Sequence, residues 1–303
     1  MITVICALGA AFCNASWAVL ARLAGVAAPE GQSRWRLGWY LVRQPVWLVG
    51  QAFAVGVFVL SGVALYFGEL AVVQPLLVVE LIFALALREF RLHDVIPVKS
   101  WYAAGLVCVG LGGFLIAADF HGGTRVPGAV DWAVAVLVFG FAAAVLVAVG
   151  QRGSPARRAA CIGAAAAVVW SVDASFVKQL TDTLQLYGIL GVFDHWPLYA
   201  LVVTAVLGGV LTQAAFNVGP LSASQPALLI VDPLASIILG VLIFGERLDS
   251  TAPALVGAVF ALLVMCAGVV LMSRWAPPSM EPIPGDPLTI MRYGRQPTTQ
   301  ATD

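Results

Sequence analysis

The sequence predicts an all-α integral membrane protein of about nine transmembrane helices, built as two inverted four-helix repeats joined by a linker helix. Three observations predict it: an apolar composition, apolar blocks of bilayer length, and a repeated octapeptide. Of the 303 residues, 61% are hydrophobic and 11% charged. An ordinary soluble domain carries about a quarter charged residues. One water-soluble core cannot hide such a surplus, and its distribution in long blocks is the pattern of membrane spans. The formal net charge is zero, so there is no basic field for nucleic acid.

Nine blocks are long enough to cross a bilayer, near 2–26, 46–68, 70–88, 101–118, 131–150, 158–180, 197–218, 221–244 and 253–273. A helical crossing takes about 17–25 residues. β-Barrel strands would alternate apolar and polar residues, and these blocks do not. No Lys or Arg precedes the first block, and Arg22 lies in its far end. It therefore reads as a retained span rather than a signal peptide. Small residues let membrane helices approach closely, as the ladder Ala104, Cys108 and Gly112 would allow.

The connections carry the charge. Residues 27–45 set Arg34, Arg36 and Arg43 among Trp35, Trp39 and Tyr40, the composition of an interfacial segment. Residues 184–196 are apolar but short and end in Asp194-His195-Trp196, so they read as a re-entrant or interfacial piece. With nine spans, one side receives Arg22, Arg34, Arg36, Arg43, Arg88, Arg91, Lys99, Arg152, Arg157, Arg158, Arg274, Arg292 and Arg295. The other receives only Arg125, Lys178 and Arg247. That bias places the N-terminus outside and the C-terminus in the cytoplasm. Residues 119–157 are expected to form an outer loop and the linker helix. Residues 275–303, proline-rich and without apolar periodicity, read as a disordered cytoplasmic tail.

The repeat is G-x-L-[AS]-x-x-Q-P. Its first copy runs from Gly68 to Pro75 and its second from Gly219 to Pro226. Each joins one span to the next through a tight turn, with a Pro that breaks the new helix early. An acid follows each copy, Glu80 and then Asp232. Farther on come Arg88-Glu89-Phe90-Arg91-Leu92 and Gly245-Glu246-Arg247-Leu248. Residues 1–118 and 158–274 therefore form two repeats. An odd number of crossings separates their starts, so the second enters the membrane upside down. Inverted repeats are common in secondary transporters, with the site near the midplane where the halves meet.

On these motifs the chain resembles the drug/metabolite transporter (EamA-like) superfamily. "VVQPLLVVELIFALALREFRL" and "SQPALLIVDPLASIILGVLIFGERL" are similar to its penultimate helix in each half. "YLVRQPVWLVGQ" leading into "LYFGELAVVQPL" looks closest to the branch of NIPA-type magnesium transporters. The resemblance covers roughly 1–118 and 158–273. It implies a duplicated bundle and transport of a small solute or a divalent cation. Members usually have one span more than is counted here.

Three acids lie inside spans. Glu80 is about 15 Å along its block and Asp232 about 16 Å along its own, from opposite faces, at 1.5 Å per residue. Asp173 sits higher, toward the outer side. A charged side chain at the bilayer centre costs about 2.5–3.5 kcal/mol on insertion scales, so such acids are rarely kept without a role. The candidate site for substrate or coupling ion is Glu80, Asp232 and Asp173 with Gln74, Gln225, Asn14, Trp17 and Trp170. The glutamines precede helix-breaking prolines, and Trp faces suit a cation. Glu80 and Asp232 would be the metal ligands of a divalent pathway. The alternative for each is helix packing.

Glu69, Asp119, Asp131, Asp182, Asp194, Glu246 and Asp249 are expected on the outer face as solvated loop acids. No P-loop, H-E-x-x-H or G-x-S-x-G motif occurs, so nothing supports an enzyme or a nucleotide-driven pump. No cofactor is expected. The expected partners are the lipid bilayer and a small-molecule or cation substrate, and a homodimer stays open. The readings are a secondary transporter of the cytoplasmic membrane, a magnesium-type divalent cation transporter, and a non-transporting scaffold subunit.

Overall fold

The computed structural model describes residues 1–26, 43–92, 96–120, 125, 127–219, 221–248 and 251–275. The expected interfacial segment falls mostly outside them, and so does nearly all of the expected tail. Nine helices among the described residues are long and apolar enough to cross a membrane. The chain is a multi-pass, all-helical membrane protein.

The helices are α1 (Ile2–Val26), α2 (Pro45–Phe67), α3 (Leu70–Leu77), α4 (Glu80–Leu92), α5 (Val98–Ala118), α6 (Ala129–Gly150), α7 (Pro155–Gly191), α8 (Trp196–Val218), α9 (Leu221–Phe244) and α10 (Ala252–Trp275). α3 and α4 together make one span. Pro75 has no N–H to donate, and the break falls two residues after Leu76, at Val78 and Val79. Shorter bonds bridge it, from Val79 N to Leu76 O and from Leu81 N to Val78 O, both 3.2 Å. The break puts Glu80 at the first position of α4. The second repeat copy behaves differently: α9 stays continuous through Pro226 and Pro233.

Two further expectations are met only in part. Residues 184–196 do not start apart from α7, which runs on past 184, but a break falls within them: Gly188, at φ 70° and ψ 178°, is not helical and divides α7 into two helices, and a short 3₁₀ turn follows over Val192–Asp194. At 1.5 Å per residue α7 far exceeds a hydrocarbon core of about 30 Å, so its end runs past that core. Leu186, Ile189 and Leu190 there are exposed.

The close-packing ladder of α5 holds at Ala104, which is buried, but not beyond it. Cys108 is exposed, and nothing lies within 4 Å of a Cβ built on Gly112. The face against α10 instead carries Ala103, Val107 and Gly110, all buried. A Cβ on Gly110 would overlap the Met265 backbone nitrogen and lie 2.8 Å from the Ala261 carbonyl oxygen. Gly268 repeats this from the other side, 2.8 Å from the Val107 nitrogen and 2.9 Å from the Ala103 oxygen. Small residues at helical spacing occur on both faces of α5, and only the partner decides which face is buried.

α7 is the central helix. Of its 18-residue apolar stretch, 83% is buried, against 17% for those of α2, α6 and α8. Ala159, Ala165, Ala166 and Ala167 are fully buried, and their small side chains admit α6, α8 and α9 around α7. On α1, Ala7, Ala10, Ala11 and Ala15 form the buried stripe, at spacings that share a helix face. α1 packs on α2, α3 and α4. Outward positions such as Val134, Leu137 and Phe141 of α6 are exposed, as lipid-facing residues are.

Gly110→Ala is expected to lower the thermal midpoint in detergent, at an overpacking cost of about 1–3 kcal/mol. Gly112→Ala, with open space around it, is expected to be neutral or slightly stabilising, because Ala is the better helix former.

Candidate functional site

Glu80 and Asp232 come from different thirds of the chain. Asp232 lies within electrostatic reach of both Glu80 and Asp173. The break at Val78–Val79 starts α4 at Glu80, and the Asn14 amide of α1 donates to its carboxylate. Asp232 sits midway along α9, and Ser236, one turn on, donates a long 3.4 Å bond to its Oδ1. Asp173, on the buried central helix, accepts from the Thr204 hydroxyl of α8 at 2.7 Å.

Asp173 is 9% exposed. Glu80, Asp232 and Asn14 are only half-buried, although their contacts run to other side chains of the bundle. Among the described residues, the ion pairs seen are Arg125 with Asp131 and Lys178 with Glu246, and neither involves these three acids.

The other candidates separate. Gln74 is buried, 6% exposed, whereas Gln225 is exposed, so the two copies of the motif do not present matched amides. Trp170 packs flat on Gly208 of α8, and its Nε1 donates to Thr212 Oγ1 at 3.0 Å. Ser171 beside it is buried and bonds the Val168 carbonyl. Trp17 is 39% exposed. The two tryptophans therefore do not form a matched pair, and Trp170 serves helix packing.

Glu246 overturns an expectation. It is no solvated loop acid but 1% exposed. Gly245, at φ 66° in the left-handed region that glycine tolerates, ends α9 and turns Glu246 inward. Its carboxylate accepts the Leu70 and Ala71 backbone N–H groups at 2.7 and 2.9 Å and an ion pair from Lys178 of α7. It thus occupies the N-terminus of α3, where an anion is favoured. Lys178 also lies 4.7 Å from the centre of the Phe244 ring. Trp132 meets that ring edge-on and is itself stacked on Phe176 at 4.8 Å, with Trp196 against both. The sequence hint was Gly245 directly before an acid, together with a single lysine inside an apolar helix.

Asp131 behaves as expected of a surface acid. It accepts from Gly128 N at 2.9 Å and pairs with the exposed Arg125. Asp249 lies outside the described residues. A cavity of about 430 Å³ opens between α6, α7 and α8, with Thr204, the partner of Asp173, in its wall. Its walls, including Phe139, Phe176, Tyr199 and Val203, are almost wholly apolar and suit hydrocarbon rather than an ion.

An uncharacterized protein of Corynebacterium glutamicum is 29% identical over 231 residues, which cover 76% of this chain and 80% of that protein. No family model matches the chain. No solved structure matches it either.

Removing one partner of a buried ion pair typically costs about 3–5 kcal/mol. Lys178→Met is expected to destabilise the protein on that scale in thermal unfolding. The double variant Lys178→Met/Glu246→Gln is expected to recover part of the loss, because no unpaired charge remains.

Proposed function

We propose that the chain is a secondary transporter that moves a small solute across the cytoplasmic membrane, coupled to protons or another cation at Glu80 and Asp232. One observation carries the reading. Asp232 of α9 lies within electrostatic reach of Glu80 of α4 and of Asp173 of α7 inside an apolar bundle, and the ion pairs seen among the described residues involve none of the three. Such a cluster is an expensive arrangement to keep in a membrane unless cations or protons use it.

The architecture proposed with it is two inverted repeats, 1–118 and 158–274, joined through α6. The pairing of α1 with α2, of α7 with α8 and of α5 with α10 supports it. The N-terminus is assigned to the outside and the C-terminus to the cytoplasm, on the distribution of Lys and Arg. The resemblance to drug/metabolite transporters agrees with this reading. Asn14 would orient Glu80, and Thr204 would orient Asp173.

A magnesium-type pathway would need several oxygen ligands converging on one point. Among the described residues no group of three His, Cys, Asp or Glu side chains does so. Gln225 is exposed, and Gln74 is buried away from it. The solute reading therefore has the better support.

The test is flux. Solutes that raise the thermal midpoint of the purified protein are carried into proteoliposomes loaded with a pH-sensitive dye. The expected result is solute movement with a linked pH change, reduced at least about tenfold by Glu80→Gln or Asp232→Asn while the folded protein is recovered normally. Wild-type flux in both variants would remove these carboxylates from the mechanism.

A further inference from the structure

We propose that the cavity between α6, α7 and α8 binds an amphiphilic amine, a molecule with an apolar body and a protonated N–H head, which enters from the lipid and seats its head against Thr204. Binding there needs no transport, so it stands or falls apart from flux. The volume of about 430 Å³ lies within the range of small-molecule sites, about 300–1,000 Å³. The floor is buried, formed by Val168, Val172 and Phe176 of α7. The rim is exposed at Val136, Tyr199, Val203 and Leu207, on the surface that meets lipid. The cavity is therefore continuous with the hydrocarbon, and a guest reaches it sideways. Gly140 belongs to its wall, and a Cβ built there meets nothing within 4 Å.

The polar groups define the head. Trp196 and Tyr199 stand at one end of the cavity, where the Tyr199 hydroxyl donates to the Phe193 carbonyl at 2.7 Å. Thr204 stands about 12 Å beyond Trp196 along α8, at 1.5 Å per residue. Every bond seen from Thr204 Oγ1 runs to an acceptor: Asp173 Oδ1 at 2.7 Å, the Ala200 carbonyl at 3.0 Å and the Leu201 carbonyl at 3.1 Å. A hydroxyl has one proton and two lone pairs, so Thr204 has a lone pair left to offer, and the guest must bring the donor. Behind that hydroxyl stands the Asp173 carboxylate, with Asp232 in electrostatic reach, and no ion pair seen among the described residues involves either. Negative charge behind an acceptor favours a cationic donor over a neutral one. An N–H···O–H···O⁻ relay then joins guest, Thr204 and Asp173 while keeping the Thr204–Asp173 bond. A bare ion is excluded by the apolar walls, a quaternary ammonium lacks the N–H, and a fatty acid would bring like charge toward Asp173.

The test is photo-crosslinking of the full chain in phosphatidylcholine nanodiscs. Three probes share one diazirine-bearing alkyl chain and differ in the head: a primary amine, its trimethylammonium analogue and the alcohol. Labelling is corrected for uptake of each probe into empty nanodiscs, and cross-linked residues are located by mass spectrometry. The amine is expected to label the cavity wall, Tyr199 and Val203 included, at least about tenfold more than either analogue. Gly140→Leu places a side chain in the mouth and is expected to bring all three probes to background at the wall. Thr204→Val is expected to reduce the amine to the level of the alcohol, and Thr204→Ser to restore it.

Equal labelling of the wall by all three probes would make the cavity a seat for lipid acyl chains and overturn the amine. Absence of wall labelling by any probe would mean that another surface, a second copy of the chain included, covers the cavity, and would overturn the site. Amine labelling unchanged by both Gly140→Leu and Thr204→Val would do the same. Should Thr204→Val not fold, the three probes on the wild type and on Gly140→Leu decide the matter. Flux is not read, so a failure of transport leaves this result untouched, and the converse holds.

Discussion

A carboxylate in hydrocarbon must either be held by donors or be reached by water, and this chain contains both solutions. Glu246 is held. Two backbone N–H groups and an ammonium occupy its oxygens, and it is almost completely buried. Glu80, Asp232 and Asp173 are not held in that way. The bonds seen to them come from one neutral donor each: an amide, a distant hydroxyl and a closer hydroxyl. A carboxylate can accept about four hydrogen bonds, so most of their capacity is left for water, a proton or a cation. The difference in satisfaction separates the acid that joins the fold from the acids that can act.

The packing of small residues makes both arrangements possible. The alanine face of α7 lets α6, α8 and α9 close around one helix, which sets Asp173 beside α8 and within reach of Asp232. The glycines of α5 and α10 let those two helices touch backbone to backbone. In lipid no hydrophobic force drives helices together, so close approach and buried polar bonds must do so. The break after Pro75 supplies the remaining condition. It frees α4 from the direction of α3 and leads it off with Glu80, next to Asn14.

What could be read from the sequence follows from the range of each interaction. The spans were legible because length and hydropathy are local properties, and their bounds agree to within a few residues for most helices. Glu80 and Asp232 were paired in the sequence because the repeated octapeptide precedes each, and Asp232 does lie within electrostatic reach of Glu80. The role of Glu246 was not, since its partners lie 68, 175 and 176 residues away. The buried face of α5 was read correctly at Ala104 but not at Cys108 and Gly112, because that ladder and the contact at Ala103, Val107 and Gly110 have nearly the same spacing. The matched tryptophans failed for a related reason: depth along a helix was known, but rotation about its axis was not. Trp17 and Trp170 differ in that rotation, and so do Gln74 and Gln225.

The resulting picture is of an apolar bundle that holds three acids with few donors and, after α9, a carboxylate that is itself fully bonded. The central claim is that the interior acids border a hydrated space. An experimental density map of the protein in a lipid nanodisc would test it most directly. The account predicts ordered water or a cation between Glu80 and Asp232. A dry, closed gap there, or carboxylates turned toward the acyl chains, would contradict it.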